Sequence, residues 1–381
     1  MNETTELVAT CLFGLERLLG EEIEALGYKR IETIDGRVIF AADLAGIARC
    51  NINLRFAERV YIRLGTFRAD SFNNLFEGVR ALPWERWIGK TDAFPVKGHS
   101  IKSALTSIPD CQKIVKKAVC KRLESTYGIE RFEETGTLYQ IEFFILNDMA
   151  SLMIDTSGTP LHKRGYRPES VDAPLRETLA AALVSLSRPR ENVELIDPFC
   201  GSGTIAIEAA LMMTNTAPGL RRSFASEKFS AIPKDVWGNA RAEAYAAITP
   251  DTAFRTTATD IDPEAVKIAK DNIERAGMTK YIDCYVKDAL TLTNDGRRAT
   301  IVCNPPYGER IFTPEQTEKL YVDMGKCFAK LAPWQIYIIT SNEEFERLYG
   351  RKADKVRKLY NGMIKCSYYQ YFKNQNKQGR T

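Results

Sequence analysis

Histidine is nearly absent from this sequence of 381 residues, which contains only His99 and His162. Histidine is the commonest metal ligand and the most frequent general base near neutral pH. Two isolated histidines support neither a histidine-based catalytic triad nor a histidine-based metal site. We therefore expect no metal ion in this protein, and its chemistry must come from other residue types.

Paired cysteines are lacking as well, although the chain has nine cysteines. The number is odd, and no two cysteines are spaced as Cys-x-x-Cys. This pattern argues against a disulfide framework and against a structural zinc site, and it suits a reducing compartment. The cysteines are therefore predicted to be free, buried thiols.

Long apolar runs are absent too. No stretch approaches the roughly 20 apolar residues that cross a bilayer, and the N-terminal "MNETTELVAT" has no basic segment followed by an apolar one. The composition, 44% hydrophobic and 27% charged, is typical of a globular protein in water. We expect a cytoplasmic protein without a membrane partner, and the sequence does not predict its oligomeric state.

The length indicates two to three domains. Residues 1–60 combine the strands "TELVATCL" and "DGRVIFAA" with the helix "GLERLLGEEIEALG", which predicts a small α+β unit. Residues 61–165 contain a strand, a helix and the two strands of "TLYQIEFFILNDMASLMIDTSG", which predict a second α+β module. From 166 to 381 helices alternate with apolar strands, and this alternation predicts a parallel sheet covered on both faces.

Positive charge is concentrated in "PDCQKIVKKAVCKRLESTYG", residues 109–128. Its apolar residues fall on one stripe of a helix, so that the ammonium groups of Lys113, Lys116, Lys117 and Lys121 project elsewhere. A row of cations on a helix attracts the phosphate backbone of a nucleic acid without reading its sequence. For this helix taken alone, a solvated surface and a nucleic-acid contact are equal alternatives.

A second basic region begins at Arg351 and continues to the end of the chain, and it includes Tyr360, Tyr368, Tyr369 and Tyr371. Tyrosines with basic neighbours form either an RNA surface or the last strands of a sheet. We favour the strands of the sheet.

A glycine-rich turn lies in "VELIDPFCGSGTIAIEAA", where a strand ends at Asp197 and an alanine-rich helix follows Gly201 and Gly203. Glycines at such a turn let a ligand approach the backbone, and the helix N-terminus supplies donors. Gly201-x-Gly203-x-x-Ala206 also matches the fingerprint of nicotinamide enzymes, which is the main competing interpretation. That fingerprint requires an acid about 20 residues further on, whereas Asp260 follows only after a long insertion.

Asp197 precedes the glycines, where its carboxylate would repel a pyrophosphate but attract an ammonium group. The expected ligand is a zwitterionic amino acid joined to a nucleoside, and S-adenosylmethionine fits that description. The glycines would admit its methionine portion, Asp260 would accept both ribose hydroxyls, and Asp288 would accept from the adenine amine. The predicted cofactor-binding residues are Asp197, Phe199, Gly201, Gly203, Thr204, Asp260, Ile261 and Asp288.

Two consecutive prolines follow the apolar run "ATIV" in "CNPPYGER", residues 303–310. Prolines fix φ and remove backbone donors, so the corner is stiff and rich in acceptors. Asn304 Oδ1 and the Pro305 carbonyl would accept the two hydrogens of an amine on a nucleic-acid base, and Tyr307 would stack on that base. The alternative is a plain turn, since Asn-Pro and Pro-Pro commonly mark turns.

"DPFCGSGT", "DIDPEA" and "NPPYGER", in this order, resemble the motifs of S-adenosylmethionine-dependent amino methyltransferases. "LHKRGYRPESVDAPLRETLAAALV" narrows the resemblance to a family of ribosomal RNA methyltransferases, similar to the N-terminal half of the fused large-subunit enzyme of enterobacteria. The resemblance implies an α/β protein, with a Rossmann-like class I methyltransferase domain at 166–381. It also implies a ferredoxin-like segment at 1–60 and a THUMP RNA-binding domain at 61–165, which would make the lysine helix an RNA contact.

The resulting hypothesis is an enzyme that methylates the exocyclic N2 amine of a guanine in large-subunit (23S) rRNA. Asn304, Pro305 and Tyr307 would be its catalytic residues. One alternative keeps the chemistry but changes the substrate to guanine N2 of tRNA or to adenine N6, since NPPY also occurs in DNA adenine methylases. Another alternative is a non-catalytic RNA-binding assembly factor.

Overall fold

A computed structural model describes residues 4–168, 175–307 and 313–373 of the chain. Residues 308–310 of the "CNPPYGER" motif, and residues 169–174 of the motif that begins with "LHKRGYR", lie outside the described residues. The chain divides into two compact units. Unit 1 contains residues 1–11, 19–161 and 222–243, and unit 2 contains residues 12–18, 162–221 and 244–381.

Strands and helices follow one another along the described chain. The strands are β1 (Thr5–Thr10), β2 (Lys29–Ile34), β3 (Arg37–Ala42), β4 (Arg59–Arg68), β5 (Val96–Ile101), β6 (Ile141–Leu146), β7 (Met149–Asp155), β8 (Glu194–Asp197), β9 (Thr256–Asp260), β10 (Ile282–Val286), β11 (Ala299–Cys303), β12 (Gln335–Thr340), β13 (Lys355–Asn361) and β14 (Ile364–Tyr371). The helices are α1 (Glu16–Ala25), α2 (Leu44–Asn53), α3 (Phe72–Arg80), α4 (Ile108–Tyr127), α5 (Glu177–Ser187), α6 (Thr204–Met213), α7 (Lys234–Ala246), α8 (Pro263–Ala276), α9 (Pro314–Ala329) and α10 (Phe345–Tyr349).

Unit 1 has a seven-stranded sheet in the order β2-β3-β1-β4-β7-β6-β5. Only β5 and β6 pair in parallel, and β1 pairs with β4, so the first two predicted units contribute strands to one sheet. The two strands predicted in "TLYQIEFFILNDMASLMIDTSG" are β6 and β7, which pair antiparallel and are joined by a turn with positive φ at Asn147 and Asp148. The sequence reasoning missed β2, because its residues are mostly exposed and show no apolar alternation.

Residues 222–243 interrupt the sequence of unit 2 but fold within unit 1. The Phe229 ring stacks on Tyr139 with ring centroids 4.1 Å apart. The Ser226 backbone N–H donates to the Thr156 carbonyl at 3.0 Å, and Arg222 donates to the Pro160 carbonyl at 2.8 Å. The long insertion seen in the sequence therefore belongs structurally to the unit formed by the N-terminal part of the chain.

Unit 2 has a seven-stranded sheet in the order β10-β9-β8-β11-β12-β14-β13. The first five strands are parallel, and β14 and β13 are antiparallel additions at one edge. β11 is buried throughout, and α6 is buried along nearly all of its length, since all of its residues except Thr204 and Glu208 are apolar. This arrangement confirms the predicted α/β fold with a parallel sheet.

The order of the strands reverses between β8 and β11, which are neighbours in the sheet but not in the sequence. Open α/β sheets bind ligands at such a switch point, outside the carboxyl ends of the strands. The glycine turn follows β8 and the proline corner follows β11, so the fold brings the two sequence motifs to this place. Among the described helices, none is both long and apolar enough to cross a membrane.

Candidate functional site

The glycine turn between β8 and α6 requires its glycines. Gly201 and Gly203 have φ values of +50° and +79°, a region that other residues rarely adopt. A Cβ on Gly203 would lie 3.3 Å from the Cβ of Ala269 on α8. The Gly203 N–H donates to the Cys200 carbonyl at 2.7 Å, which closes the turn. The turn therefore keeps bare backbone at the N-terminus of α6.

Asp260 lies beside this turn despite the insertion that precedes it. The Gly201 N–H donates to Asp260 Oδ2 at 2.9 Å, and the Asp262 N–H donates to Asp260 Oδ1 at 3.1 Å. β9 pairs with β8, so residues 222–243 leave the strand register intact. Each carboxylate oxygen has two acceptor positions, and Asp260 therefore keeps capacity for the hydroxyls of a ligand.

Asp197 is a buried acid at the end of β8, with only 1% of its surface exposed. Burial raises the pKa of its carboxyl well above the ordinary range, whereas the hydrogen bond from the Phe199 N–H lowers it and the nearby Asp260 charge raises it further. That hydrogen bond is 3.3 Å long. No cationic side chain in the described part of the chain forms an ion pair with Asp197. The site thus favours a ligand that brings a positive charge.

Two further predicted residues, Ile261 and Asp288, also lie at the carboxyl ends of the parallel strands. Ile261 follows β9 and has 63% of its surface exposed, which leaves an apolar side chain beside Asp260. The Lys287 N–H donates to the Asp260 carbonyl at 2.9 Å and so holds the end of β10 next to β9. Asp288 follows and accepts from the Leu290 N–H at 2.9 Å. These side chains offer one apolar surface and carboxylate acceptors to a nucleoside.

Phe199 and Thr204, the remaining predicted cofactor residues, lie on either side of the glycines. Phe199 is half-buried and packs against the apolar core of unit 2. Thr204 is buried, and its Oγ1 accepts from Arg167 Nη1 at 2.9 Å. Arg167 also forms an ion pair with the buried Glu177 at 3.0 Å. The sequence reasoning noted Arg167 only within the motif "LHKRGYR" and missed its role in holding the start of α6.

The proline corner follows the buried end of β11. The Tyr307 hydroxyl donates to Asn304 Oδ1, and the Tyr321 hydroxyl of α9 donates to the Pro306 carbonyl at 2.8 Å. No donor in the described residues hydrogen-bonds to the Pro305 carbonyl. The corner therefore presents two acceptors on neighbouring residues, the Asn304 side-chain oxygen and the Pro305 carbonyl.

Tyr321 is a residue that the sequence reasoning missed. It is completely buried, and its hydroxyl also lies 2.9 Å from Thr340 Oγ1 on β12. This link fixes the corner to α9 and to the neighbouring strand. A tyrosine on the apolar face of a helix carries no sequence signal that distinguishes an anchor from ordinary packing.

The predicted lysine helix is α4, and its apolar stripe is buried at Val115, Ala118, Val119 and Leu123. Lys117 is exposed, while Lys113 and Lys121 are exposed and form ion pairs with Asp110 and Glu124 on the same helix. Lys116 differs. Its ammonium contacts Glu134 at 2.5 Å, donates to the Phe94 carbonyl at 3.1 Å and lies 3.5 Å from the centre of the Phe94 ring. Lys116 therefore stabilises unit 1 internally.

The fold and the site define a class I methyltransferase, in which a glycine turn and acidic strand ends meet a proline corner at the switch point of an α/β sheet. The chain belongs to the UPF0020 family, described as RMKL-like, methyltransferase domain, which matches residues 164–370. An RlmL ferredoxin-like domain matches residues 6–61, and a THUMP domain matches residues 69–155.

Two relatives match nearly the whole chain. It is 45% identical over 368 residues to the "Putative RNA methyltransferase YpsC" of Bacillus subtilis (strain 168), covering 96% of this chain and 95% of YpsC. It is 31% identical to the ribosomal RNA large subunit methyltransferase K/L of Shewanella baltica (strain OS185), covering 93% of this chain and 51% of the relative. The chain thus spans about half the length of that relative.

A solved structure of high similarity is that of SMU.472, crystallised in complex with SAH. The TM-score is 0.92 and the sequence identity is 38%, and the match covers 98% of this chain and the whole of SMU.472. The resemblance to THUMP-containing RNA methyltransferases that the sequence indicated is therefore confirmed.

Proposed function

We propose that this RNA methyltransferase transfers a methyl group from S-adenosylmethionine to the exocyclic N2 amine of a guanine in large-subunit rRNA in the cytoplasm. The observation that carries the proposal is the corner at the end of β11, where the Asn304 oxygen and the Pro305 carbonyl stand as neighbouring acceptors. An exocyclic amine has two hydrogens to donate, and the corner matches that pattern. We propose domains at 1–60, 61–165 and 166–381 along the sequence, with residues 222–243 of the last domain packed in unit 1.

S-adenosylmethionine is the cofactor, and the related SMU.472 holds SAH, its demethylated form. Asp197 would bind the ammonium group, because its buried carboxyl lacks a cationic partner within the described chain. Asp260 would bind the ribose, and Ile261 with Asp288 the adenine. The methionine end would lie against Phe199, Gly201, Gly203 and Thr204. When bound, the cofactor supplies a methyl group on a sulfonium, which readily reacts with a nucleophile.

The corner would position the amine. An amine on a purine is a weak nucleophile because its lone pair is delocalised into the ring. When Asn304 Oδ1 and the Pro305 carbonyl accept its two hydrogens, the nitrogen lone pair turns out of the ring plane. The nitrogen would then bond to the methyl carbon while the carbon–sulfur bond breaks and its electron pair stays on sulfur, which leaves a neutral thioether. The nitrogen would release one proton to solvent, so positioning and acceptor placement would suffice without a strong base.

Tyr307 would stack on the target base, which must first leave its helix at a cost of a few kcal/mol. Stacking offsets about 1–3 kcal/mol of that cost. Its hydroxyl also donates to Asn304 Oδ1, and this contact orients the amide so that the oxygen accepts from the substrate. Tyr307 would therefore act both on the base and on the catalytic amide.

Methylation of a ring carbon, the chemistry that needs a cysteine nucleophile, finds little support. Cys303 is buried at the end of β11, and burial raises the pKa of its thiol well above the ordinary range. The hydrogen bond with Cys284, together with burial, raises the pKa of the Cys200 thiol. Both shifts disfavour the thiolate that such a reaction requires, so nitrogen is the better-supported acceptor of the methyl group.

The proposed substrate rests on two observations. The THUMP match supports RNA, and the name of the Shewanella relative supports large-subunit rRNA. The corner itself fits the amine of guanine or of adenine. Guanine N2 of tRNA and adenine N6 therefore serve as the alternative outcomes of the experiment below.

The test is transfer of an isotope-labelled methyl group to total RNA and to DNA from a strain that lacks the gene, followed by nucleoside mass spectrometry. We expect label in N2-methylguanosine from the large rRNA, and none in DNA. Asn304→Ala should abolish transfer while cofactor binding, measured by calorimetry, stays within about twofold of the unsubstituted protein. Label in N6-methyladenosine would refute the guanine assignment, and loss of cofactor binding in Asn304→Ala would make the corner structural.

A further inference from the structure

The turn between β13 and β14 places an exposed side chain at the tip of a hairpin. Met363 has 96% of its surface exposed, the highest value among the large hydrophobic residues that the structure describes. Tyr360 and Lys365 face each other across the hairpin. Lys358 lies on the same face as Tyr360, because residues two apart on a strand share a face. An aromatic ring and two cations thus share one face of the hairpin, next to the exposed methionine at its tip.

The aromatic part of this surface is larger than one ring. Phe13, which belongs to the same compact unit, contacts Tyr360 edge to face with centroids 6.0 Å apart and remains 54% exposed. Gly14 allows this approach: its φ is +90°, and a Cβ there would lie 3.1 Å from the Lys358 carbonyl. We call Phe13, Lys358, Tyr360, Met363 and Lys365 the hairpin platform.

The strand register shows where the hairpin platform lies relative to the site. Thr340, the last residue of β12, pairs with Ser367 of β14. β14 and β13 continue beyond this pair, so Lys365, Tyr360 and the turn extend past the carboxyl end of β12. β12 is parallel to β11, and the carboxyl end of β11 carries Asn304. The hairpin platform therefore projects from the end of the sheet at which the parallel strands have their carboxyl ends, and the proline corner lies at that same end.

The distance between β11, which carries the proline corner, and β13, which carries Tyr360, suits a short stretch of RNA that flanks the target base. β13 is three strand spacings from β11, which at about 4.8 Å each is about 14 Å. Bases stacked about 3.4 Å apart cover that distance in about four nucleotides. A strand whose target base enters the corner would thus bring a base a few nucleotides away onto the hairpin platform.

The positive charge around the hairpin platform also favours a strand of RNA as its ligand. Lys358 and Lys365 are exposed, and a Cβ on Gly362 would lie 4.0 Å from a guanidinium nitrogen of Arg176. Lys365 forms an ion pair with Glu343 at 3.6 Å. Phe13 is exposed and Tyr360 is half-buried. Solvent-accessible aromatic rings next to cations bind unpaired nucleotides by stacking and by attraction of the phosphates.

We propose that the hairpin platform stacks unpaired bases of the RNA substrate that flank the methylated nucleotide. This inference rests on the proposed function for its RNA substrate, and it does not depend on which base or which atom is methylated. Stacking reads no particular sequence, because every base has an aromatic face. The hairpin platform would thus require that the target lies in or beside a single-stranded stretch.

The test measures RNA affinity by fluorescence anisotropy with the full chain and a labelled single-stranded RNA of about 12 nucleotides. A double-stranded RNA stem-loop of the same composition is measured alongside. We expect Tyr360→Ala to raise the Kd for the single strand at least about fivefold, as loss of a stacking contact implies. Tyr360→Phe should restore binding, because the ring is kept. Since no charge is lost, the salt dependence of binding should not change.

Tyr245→Ala is the matched control, since Tyr245 is 56% exposed on unit 2 and lies outside the hairpin platform. Its affinity for the single strand should equal that of the unsubstituted chain. An unchanged Kd for Tyr360→Ala and Met363→Ala, or no binding of the single strand at all, would overturn the inference. If a photo-crosslinker at position 363 captured a second protein instead of the RNA, the hairpin platform would be a protein interface. Loss of affinity in Tyr360→Ala with label found in adenine would refute only the guanine assignment.

Discussion

At the scale of single residues, Asp197 is a buried acid that we propose as the partner of the ammonium group of the ligand. The folded chain raises the pKa of this carboxyl, so the folded state holds its proton more tightly than the unfolded state does. Above the pKa of the unfolded chain, about 3.9, the Asp197 carboxyl ionises in the unfolded state more readily than in the folded state. The free energy of unfolding therefore decreases as the pH rises, until the pH passes the pKa of the folded state. In the proposed complex, a bound ammonium group would compensate this charge.

Asp197→Asn should weaken binding of S-adenosylmethionine about tenfold to a hundredfold, the loss typical of a hydrogen bond to a charged group. Without cofactor, the same variant should melt at a higher temperature than the unsubstituted protein at pH 8, and the gain should shrink at pH 5. Calorimetric titration and thermal melting measure the two effects. Asp251→Asn, with 96% of the Asp251 side chain exposed, is the control that should change neither. Unchanged affinity in Asp197→Asn would contradict the ammonium assignment.

Tyr307 is a second residue whose contacts yield a quantitative expectation. Sequence reasoning alone predicts that Tyr307→Phe is mild, since the stacking ring is kept. Because the Tyr307 hydroxyl donates to Asn304, Tyr307→Phe should lower kcat by about twofold to tenfold, which corresponds to the loss of one neutral hydrogen bond. Tyr307→Ala should lower kcat further and raise KM for RNA. Steady-state kinetics with Tyr245→Phe as the control would test this, and a severe loss in Tyr307→Phe would show that stacking is not the main role.

At the scale of elements, α4 carries cations of two kinds. Lys117 is exposed, and the ion pairs of Lys113 and Lys121 are with exposed or half-buried acids of the same helix, contacts that contribute little stability. Lys116 instead lies between Glu134 and the Phe94 ring. We propose that RNA contacts Lys113, Lys117 and Lys121, and that Lys116 is structural.

Lys116→Gln and Lys117→Gln form a matched pair on this helix. Lys117→Gln should reduce the slope of log K against log salt by about 0.7–0.9, the value for one neutralised phosphate contact, and leave the melting temperature unchanged. Lys116→Gln should lower the melting temperature and leave the slope unchanged. RNA binding at several salt concentrations and thermal melting separate the two. Equal slopes in both variants would place the RNA elsewhere.

At the scale of the whole molecule, the course of the chain does not follow the division into units. Residues 222–243 lie between α6 and β9 of unit 2 in the sequence and within the UPF0020 match, yet they pack in unit 1. All proposed cofactor residues belong to unit 2. The two units can therefore be distinguished by their response to the cofactor, because a ligand stabilises the unit that binds it.

Phe229→Ala should destabilise unit 1 by about 3–5 kcal/mol, since the buried ring that stacks on Tyr139 is removed. Differential scanning calorimetry with and without S-adenosylmethionine would assign the transitions, and only the unit 2 transition should shift with cofactor. Phe254→Ala, at an equally buried phenylalanine of unit 2, is the control and should lower the cofactor-dependent transition. A lowered cofactor-dependent transition in Phe229→Ala would contradict the assignment of 222–243 to unit 1.

The sequence by itself determined the features that depend on local chemistry. Alternating helices and apolar strands predicted the parallel sheet, glycines predicted the turn after β8, and two prolines predicted the stiff corner after β11. These signals are local because φ restrictions and side-chain periodicity act within a few residues. The buried positions of Tyr368, Tyr369 and Tyr371 in β14 likewise confirm that this tyrosine-rich segment forms strands.

Only the tertiary structure decided which distant residues meet. It paired Lys116 with Glu134 and anchored the proline corner through the Tyr321 hydroxyl. It also brought Arg167 to Thr204 and placed residues 222–243 in unit 1. It also set Asp260 beside Gly201 across a long insertion. Such contacts depend on strand order and packing between segments far apart in the chain, and neither propensity nor spacing within one segment encodes them.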